Sequence, residues 1–362
     1  MNRKIIVLKG SGREVLNNEL LNTYLDRFFK TKNPSNKECC NMLLIGPSYH
    51  QMINMLAGMK NRENNYHMIS LRDVNNTKRV NPLDGIEKGT YNYESVADTI
   101  AWYVIGEECH QKINRIMISH IIQACMVFLS DSDYFKLPHL LGLLTQPIEC
   151  WKNVLGKHKE TSSYISWLLK VSPKLDYFET IIEKLHQGVE RIMTDELCWL
   201  TDICEFPVNK MVDENKQSII IVDDDGEMDS ALIAALMVEC TRQQYDKQSR
   251  TSFSEILNPN NLVVIPDISR IRVNKMDLIV GLRNYNPYRL IIGYTRKDVF
   301  KYLHSEEEWT VFGSHMENFC LELNAAYKFE RVGEREEITS SSKPYKGYKD
   351  RVMKEVKSLI TT

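Results

Sequence analysis

Short, nearly all-apolar runs alternate with helical patterns at the start of the chain, and this alternation constrains the fold more than any other feature. The runs cover residues 5–8, 42–45 and 66–71. Between them, apolar residues recur at helical spacing over residues 15–30 and again after Ser48, a suitable helix N-cap. Strands that are apolar on both faces are typical of a parallel sheet covered by helices on both sides. The sequence therefore predicts an α/β fold.

A long helical stretch then interrupts the strands. Apolar residues keep helical spacing over residues 93–200, and we find no convincing strand there. The pattern predicts helices over residues 95–104, 110–129, 137–145, 161–171 and 176–198. Four tryptophans lie in or next to this stretch, and core packing explains most of them: Trp102, Trp151, Trp167 and Trp199. We interpret the stretch as an all-helical subdomain inserted into the sheet domain.

The sheet pattern resumes after the insertion. Strands are predicted over residues 218–222, 261–265, 290–293 and 318–323, and helices over residues 230–245, 277–283 and 297–303. The predicted organisation is a first α/β part at 1–92, the insertion at 93–200, a second α/β part at 201–340, and a polar, basic tail at 341–362. The tail could contact phosphates or acidic lipid, or it could form an exposed amphipathic helix.

Composition indicates an ordinary globular chain rather than a disordered one. Of 362 residues, 43% are hydrophobic and 26% are charged, and a net charge of −2 gives no overall support for wrapping nucleic acid. The nine cysteines form no C-x-x-C pair, which favours reduced thiols in a cytosolic protein. No signal peptide precedes the first strand, and the longest apolar run, 116–129, is short for a membrane span. A cytoplasmic location is predicted.

The turn after the first strand is placed where a phosphate-binding loop belongs. Glycines allow backbone amides to surround an anion, and the next helix directs its positive end at it. Against the pattern G-x-x-x-x-G-K-[ST], Val7 replaces the first glycine, Arg13 the lysine and Glu14 the hydroxyl residue. A carboxylate and a phosphate about 4 Å apart repel by roughly 4 kcal/mol at an effective dielectric near 20. The segment is therefore either a sharp turn without a ligand or a degraded phosphate-binding loop. In the second case the candidate phosphate-binding residues are Gly10, Ser11, Gly12 and Arg13.

Further landmarks follow this loop in a fixed order. The second strand ends in Gly46-Pro47, and the third leads through a polar loop to the sequence Asn-Pro-Leu at 81–83. After the helical insertion, one strand ends in an acidic run at 223–225, and a later strand ends in Pro266-Asp267. The last landmarks are Arg283, the pair Tyr294-Thr295 that ends the next strand, and the glycine- and serine-containing stretch 333–342.

This series resembles the type IV coupling proteins of conjugation and type IV secretion, the TraG/TraD group, over nearly the whole chain. The resemblance implies a RecA-like, P-loop-type ATPase domain with a mostly parallel sheet, an inserted all-helical subdomain and assembly into a hexameric ring. By the same resemblance, Pro266 stands where an Mg²⁺-binding aspartate is expected, and Asp267 where a glutamate polarises water. Tyr294 and Thr295 replace a γ-phosphate-sensing Gln-Ser pair. The membrane anchor of the family has no counterpart in this sequence.

Several roles in ATP hydrolysis are therefore unfilled. Such an enzyme needs a lysine on the phosphates, a hydroxyl and an aspartate on Mg²⁺, and a carboxylate that orients water. Arg13 can bind phosphate, but Pro266 offers no ligand and Asp267 is one methylene shorter than glutamate. We predict no bound cofactor, with weak ATP and Mg²⁺ binding as the alternative, and no metal site. The acidic run 223–225 lacks the spacing of a calcium loop and favours a solvated turn.

The leading hypothesis is a catalytically degraded, coupling-protein-like subunit or adaptor of a transfer machine. It would contact protein components of that machine, with DNA or relaxosome contact through the insertion or the tail, in the cytoplasm or peripherally at the inner membrane. It could share a ring with an active paralogue, whose site Arg283 would complete. The alternatives are a divergent but active ATP-driven translocase that uses Arg13 and Asp267, and an unrelated scaffold, which would have a different strand order.

Overall fold

The structure is a computed structural model that describes residues 5–9, 42–46, 66–71, 77–86, 90–156, 161, 166, 178–206, 219–223, 227–249, 261–266, 271, 288–294, 320–322 and 344–361. Seven strands lie within these residues. In chain order they are β1 (Ile5–Lys9), β2 (Met42–Gly46), β3 (Tyr66–Ile69), β4 (Ile219–Asp223), β5 (Asn261–Ile265), β6 (Tyr288–Tyr294) and β7 (Cys320–Glu322). Each coincides with a predicted strand to within two residues, so the strand predictions are confirmed.

One sheet contains all seven strands in the order β3-β4-β2-β5-β6-β1-β7. Every strand pair is parallel, which confirms the predicted parallel sheet. The first strand of the chain therefore lies between two of the last strands, and each neighbour in the sheet is reached through a crossover connection.

The central strand β2 shows why these segments are apolar throughout. All five of its residues are buried. Leu43 and Ile45 belong to a hydrophobic cluster shared with the helices, whereas Met42 and Leu44 are fully buried outside that cluster. Because side chains alternate between the two faces of a strand, apolar contacts are needed on both faces here.

Helices make up most of the remaining described structure. They are α1 (Thr90–Val104), α2 (Lys112–Leu129), α3 (Leu137–Leu144), α4 (Ile148–Val154), α5 (Phe178–Ile192), α6 (Asp195–Thr201), α7 (Met228–Ser249) and α8 (Tyr348–Thr361), with a 3-10 helix at Gly106–His110. Helix α7 follows β4 and packs on β4 and β2, and α1 packs on α7, α2 and α5. A sheet layer is thus joined to a helical layer through α7 and α1.

The helices differ from the prediction in three places, and one further predicted helix stays untested. The predicted helix 176–198 is two helices, α5 and α6, because the Thr194 side chain caps α6 by accepting a hydrogen bond from the Leu197 amide at 3.1 Å. Helix α4 lies in a segment where no helix was predicted, and the predicted helix 161–171 lies almost entirely outside the described residues. Residues 348–361 of the basic tail form a helix whose apolar edge is buried rather than exposed.

Helix α2 is the one described helix that is long and apolar enough to cross a membrane by length and composition alone. Two thirds of it (67%) is buried inside the protein, as in the core helix of a globular fold. Its buried residues include Met117, Ile121 and Cys125.

Candidate functional site

The sheet topology brings three of the predicted site segments to one edge of the sheet, namely the edge formed by the carboxyl ends of the strands. Strands β1, β6 and β5 are adjacent and parallel, so their carboxyl ends face the same way. Lys9, the last residue of β1, pairs with Tyr294, the last residue of β6. Adjacent strands lie about 4.8 Å apart, which places β1 about 10 Å from β5. A crevice outside the carboxyl ends of parallel strands is the usual ligand position in α/β proteins.

The predicted site residues follow directly from these strand ends. Gly10, Ser11, Gly12 and Arg13 come after β1, and Asp267 comes two residues after Ile265, the end of β5. Ile265 pairs with Ile292, which is likewise two residues before Tyr294. All five site residues, and also Arg283, lie outside the described residues. The described structure therefore positions the strands that lead to the candidate loop, and the side-chain roles stay predictions.

Pro266 is described, and it is buried at the end of β5. A proline side chain carries no oxygen or nitrogen that could bind Mg²⁺. At the position where the family resemblance expects a metal-binding aspartate, the described side chain therefore offers no ligand.

The acidic run after β4 lies at a different place on this edge. Asp223 ends β4 and pairs with Gly46 at the end of β2. Four strand spacings separate β4 from β1 in the sheet order, which amounts to about 19 Å. Glu227 is exposed just before α7, and no cluster of three metal-ligating side chains occurs among the described residues. The run thus follows a strand that is remote from the candidate phosphate loop, and its interpretation as a solvated turn stays a prediction, because residues 224–226 lie outside the described residues.

The Asn-Pro-Leu sequence has a structural role in the described structure. The side-chain nitrogen of Asn81 donates to the Phe135 carbonyl at 2.9 Å. The side-chain oxygen of Asn81 accepts from the backbone amides of Leu83 and Leu137, each at 3.3 Å. Cys240 of α7 donates to the Pro82 carbonyl at 2.7 Å. The motif thus fixes the loop after β3 to the start of α3 and to α7, and it joins the sheet to the helical subdomain.

Arg79 extends this joint to the end of the helical subdomain. Its guanidinium donates to the Trp199 carbonyl at 2.8 Å and to the Tyr348 hydroxyl at 3.0 Å, and it lies 4.9 Å from the Trp199 ring centre. The backbone amide of Val80 donates to the Leu200 carbonyl at 3.0 Å. These contacts could not be predicted from the sequence, because the partners are more than a hundred residues apart along the chain.

A cleft of about 420 Å³ lies between the end of α1, helix α5 and the start of α7. Lys184 and Glu108 form an ion pair within it, so these two lining charges neutralise each other. Gly188 lies directly against the backbone of Val104, where an added Cβ would be 1.7 Å from the carbonyl oxygen. The cleft therefore sits at a close helix crossing.

The described cysteines fit the prediction of reduced thiols. The six whose side chains are described are free, and four of these are buried, namely Cys109, Cys125, Cys198 and Cys240. Burial raises the pKa of Cys204 to about 11 and that of Cys198 to about 12. Thiols with such pKa values are protonated at neutral pH and unreactive as nucleophiles, so these positions serve packing.

No protein-family model matches this chain, and no curated protein sequence matches it. Among solved structures, its fold is similar to that of TrwB, a bacterial conjugative coupling protein. The unbound TrwBdeltaN70 structure aligns with a TM-score of 0.59 and 12% identity, over 86% of this chain and 66% of that chain.

Two ligand-bound TrwB structures align in the same way. The complex with the GTP analogue GDPNP gives a TM-score of 0.57 at 12% identity, and the complex with ADP and Mg²⁺ gives 0.54 at 13%. Each alignment covers 86% of this chain and 68% of that chain. This chain thus spans about two thirds of the length of the coupling-protein structures it resembles. At this level of identity, the similarity establishes a shared fold.

Proposed function

We propose that this chain is a non-hydrolysing, coupling-protein-like component of a conjugative or type IV transfer machine. Its role there is that of a subunit or adaptor that recruits DNA or protein substrate, in the cytoplasm or at the inner face of the membrane. The observation that carries the proposal is the order of the sheet: β1, β6 and β5 are adjacent, and the helical subdomain follows β3. That arrangement accompanies the fold similarity to TrwB over 86% of the chain.

The non-hydrolysing part of the proposal is supported by residue chemistry at the sheet edge. Pro266 removes an Mg²⁺ ligand at the end of β5, and Glu14 places a carboxylate where a phosphate-binding loop has a hydroxyl. Phosphoryl transfer depends on metal and loop contacts acting together, so the loss of both disables hydrolysis more than the loss of either.

A nucleotide-binding assay tests the proposal. Fluorescent ATP with Mg²⁺ is titrated to millimolar concentration while hydrolysis is followed in the same sample. We expect no turnover, and either no binding or weak binding that Arg13→Ala abolishes. Turnover that disappears in Arg13→Ala would overturn the proposal and make the chain a motor. The double variant Glu14→Thr, Pro266→Asp restores both missing ligands and should strengthen Mg²⁺-dependent binding relative to the natural chain.

The second candidate function is a divergent, active ATP-driven DNA or protein translocase. Two observations favour it: an acidic residue, Asp267, follows β5, and TrwB has been solved with ADP and Mg²⁺ bound. In this case Asp267→Asn lowers turnover by a hundredfold or more while nucleotide affinity changes little, because the carboxylate orients the attacking water. If the chain does not hydrolyse ATP, the same variant has no effect on turnover.

A ring with an active paralogue would give Arg283 a role in trans. An arginine from a neighbouring subunit can stabilise the charge of a phosphoryl-transfer transition state and accelerate it by about 10³–10⁵-fold. If this chain completes a partner's site, Arg283→Ala lowers the partner's ATPase rate in the mixed assembly without weakening the assembly. An unchanged rate would exclude this role and leave the adaptor role intact.

A further inference from the structure

Helix α8 packs on the helical subdomain through contacts with α3 and α6. Along its apolar edge, Val352 and Val356 are completely buried. On α3, Gly142 makes room for this edge, since an added Cβ would lie 2.9 Å from a Val356 methyl group and 3.3 Å from the Met353 sulfur. The groove on α3 and α6 is therefore matched to this helix by shape, and α8 is its occupant.

The first turn of α8 is capped by a different helix. The Asp195 carboxylate, at the start of α6, accepts hydrogen bonds from the Gly347 amide at 2.9 Å and the Lys349 amide at 2.8 Å. A carboxylate at this position satisfies otherwise unpaired amides and interacts favourably with the helix dipole. The N-terminus of α8 thus depends on docking for its cap.

A buried histidine lies under the other half of α8. The His139 side chain, on α3, is completely buried, and its Nε2 lies 2.8 Å from a Glu355 oxygen of α8. Its Nδ1 has no hydrogen-bond partner and lies 4.0 Å from an Asp202 oxygen. With Nε2–H donating to Glu355, the ring is neutral and Nδ1 carries a bare lone pair.

Charged groups from three elements surround this ring. Asp202, just after α6, is bound by Lys136 at 3.2 Å and by Arg351 of α8 at 3.4 Å, and Arg351 also binds Glu355 at 3.0 Å. The Tyr134 ring lies 5.0 Å from His139. The two carboxylates around the histidine are thus already paired with two cations, and a proton on His139 would add an unbalanced positive charge.

We propose that α8 is a pH-gated clasp: it is docked on α3 and α6 while His139 is neutral, and protonation of His139 releases it. Release admits water to the ring and exposes the apolar groove around Gly142. The residues of this device lie on or directly next to α3, α6 and α8 rather than after β1 or β5.

The direction of the pH effect follows from burial. Burial lowers the pKa of His139 in the docked state below its ordinary value of 6.5, although Glu355 and Asp202 partly oppose the shift. A base with a lowered pKa binds its proton more tightly after release, so docking is strongest above pH 6.5 and weakens as the pH falls below it. Each unit of pKa difference changes the docking equilibrium by up to tenfold.

Hydrogen exchange followed by mass spectrometry tests the clasp in the full chain. Protection of peptides from 348–361 is compared with that of peptides from 112–129 between pH 5.0 and 8.0, with exchange times scaled to the intrinsic rate. We expect protection of α8 to fall at least threefold between pH 7.5 and pH 5.5 while protection of α2 is unchanged. An α8 whose protection does not depend on pH, or falls in parallel with α2, would overturn the proposal.

Two variants separate His139 from other titrating groups. His139→Gln keeps a donor for Glu355 but cannot titrate, so protection of α8 should become independent of pH over this range; an unaltered pH dependence would overturn the proposal. Glu355→Gln keeps His139 and an acceptor oxygen but removes a charge that favours the imidazolium. Protection should then fall by a larger factor than in the natural chain, and an equal or smaller fall would contradict the gating role of His139.

Discussion

Two polar networks join helices in this protein, and they differ in how far they are removed from water. Between α1 and α7, Glu239 binds Arg242 at 2.6 Å and accepts hydrogen bonds from Ser95 at 2.6 Å and Gln243 at 2.9 Å, and all four residues are less than 9% exposed. Beneath α8, His139 and Asp202 are equally buried, but the α8 side of the network is partly open to water, since the Arg351 side chain is 53% exposed and that of Glu355 is 28% exposed.

The difference in burial separates a permanent contact from a reversible one. Although burial opposes its ionisation, Arg242 holds the pKa of Glu239 below the ordinary value. Separating such a pair leaves a charge in a medium that solvates it poorly. At the rim of α8, water can replace a broken ion pair at little cost. The first network holds α1 on α7 through the Ser95 hydroxyl, which donates to the enclosed Glu239, whereas the second lets α8 leave.

The largest expected effect is at the enclosed pair. Arg242→Ala leaves the Glu239 carboxylate buried without its ionic partner, and we expect the free energy of unfolding to fall by about 3–5 kcal/mol. Urea denaturation followed by circular dichroism measures the change. Arg242→Met, which retains much of the packing but not the charge, serves as the control and should be nearly as destabilising. A loss below about 1 kcal/mol in Arg242→Ala would remove the distinction between the two networks.

A smaller effect is expected at the joint between the sheet and the helices. Asn81→Ala leaves the buried amides of Leu83 and Leu137 and the Phe135 carbonyl without their side-chain partner, which should cost about 2 kcal/mol. Hydrogen exchange measured separately in peptides from α3 and from β3 shows which of the two elements loses stability. Asn81→Asp keeps the acceptor and loses the donor, and it should fall between alanine and the natural residue.

The cap of α8 should contribute less than the joint. Asp195→Ala removes the acceptor for the Gly347 and Lys349 amides, and docking of α8 should weaken by about 1 kcal/mol, or roughly fivefold. Hydrogen exchange in peptides from 348–361 reports it without global unfolding. Equal loss of protection in α2 would mean that α8 cannot leave independently. Asp195→Asn, which keeps an acceptor oxygen, is the matched control.

The smallest effect is at the exposed pair. Arg351→Ala makes the same chemical change as Arg242→Ala, but at a side chain that is half exposed, and it should lower the free energy of unfolding by less than about 1 kcal/mol. The comparison of these two arginines by the same urea titration is the most direct measure of what enclosure contributes. A loss at Arg351 as large as that at Arg242 would show that α8 is a permanent part of the core.

The strands of the sheet were largely predictable because each one has a local signal, a short run of apolar residues. Residues 42–45 and 262–265 are apolar throughout, since both faces of a parallel sheet are covered, and their strands form as predicted. The order of the strands was not predictable from residue pattern alone. The pairing of Ile5 with Leu290 depends on crossover connections, which leave no local signal, and only the family resemblance implied such an arrangement.

The helical contacts were less predictable because they depend on distant side chains. The split between α5 and α6 had a local signal, since Thr194 precedes Asp195 and Glu196, which suit a capped first turn. The docking of α8 also had one, the i, i+4 spacing of Val352 and Val356, but its partner on α3 had none. For the candidate site, the structure positions the strands that lead to the predicted residues. The roles of their side chains stay predictions.

The location of β1 between β6 and β7 has a consequence for how the chain is synthesised. β1 is translated before the other six described strands, yet Ile5 and Val7 pair with Leu290 and Cys320. At about 5–20 residues per second, roughly a quarter of a minute to a minute passes on the ribosome before those partners exist. The helical subdomain, whose contacts are closer in sequence, can fold during that interval. The part of the sheet that carries the candidate phosphate loop is therefore completed only after β6 and β7 have been translated, and any nucleotide contact there becomes possible only then.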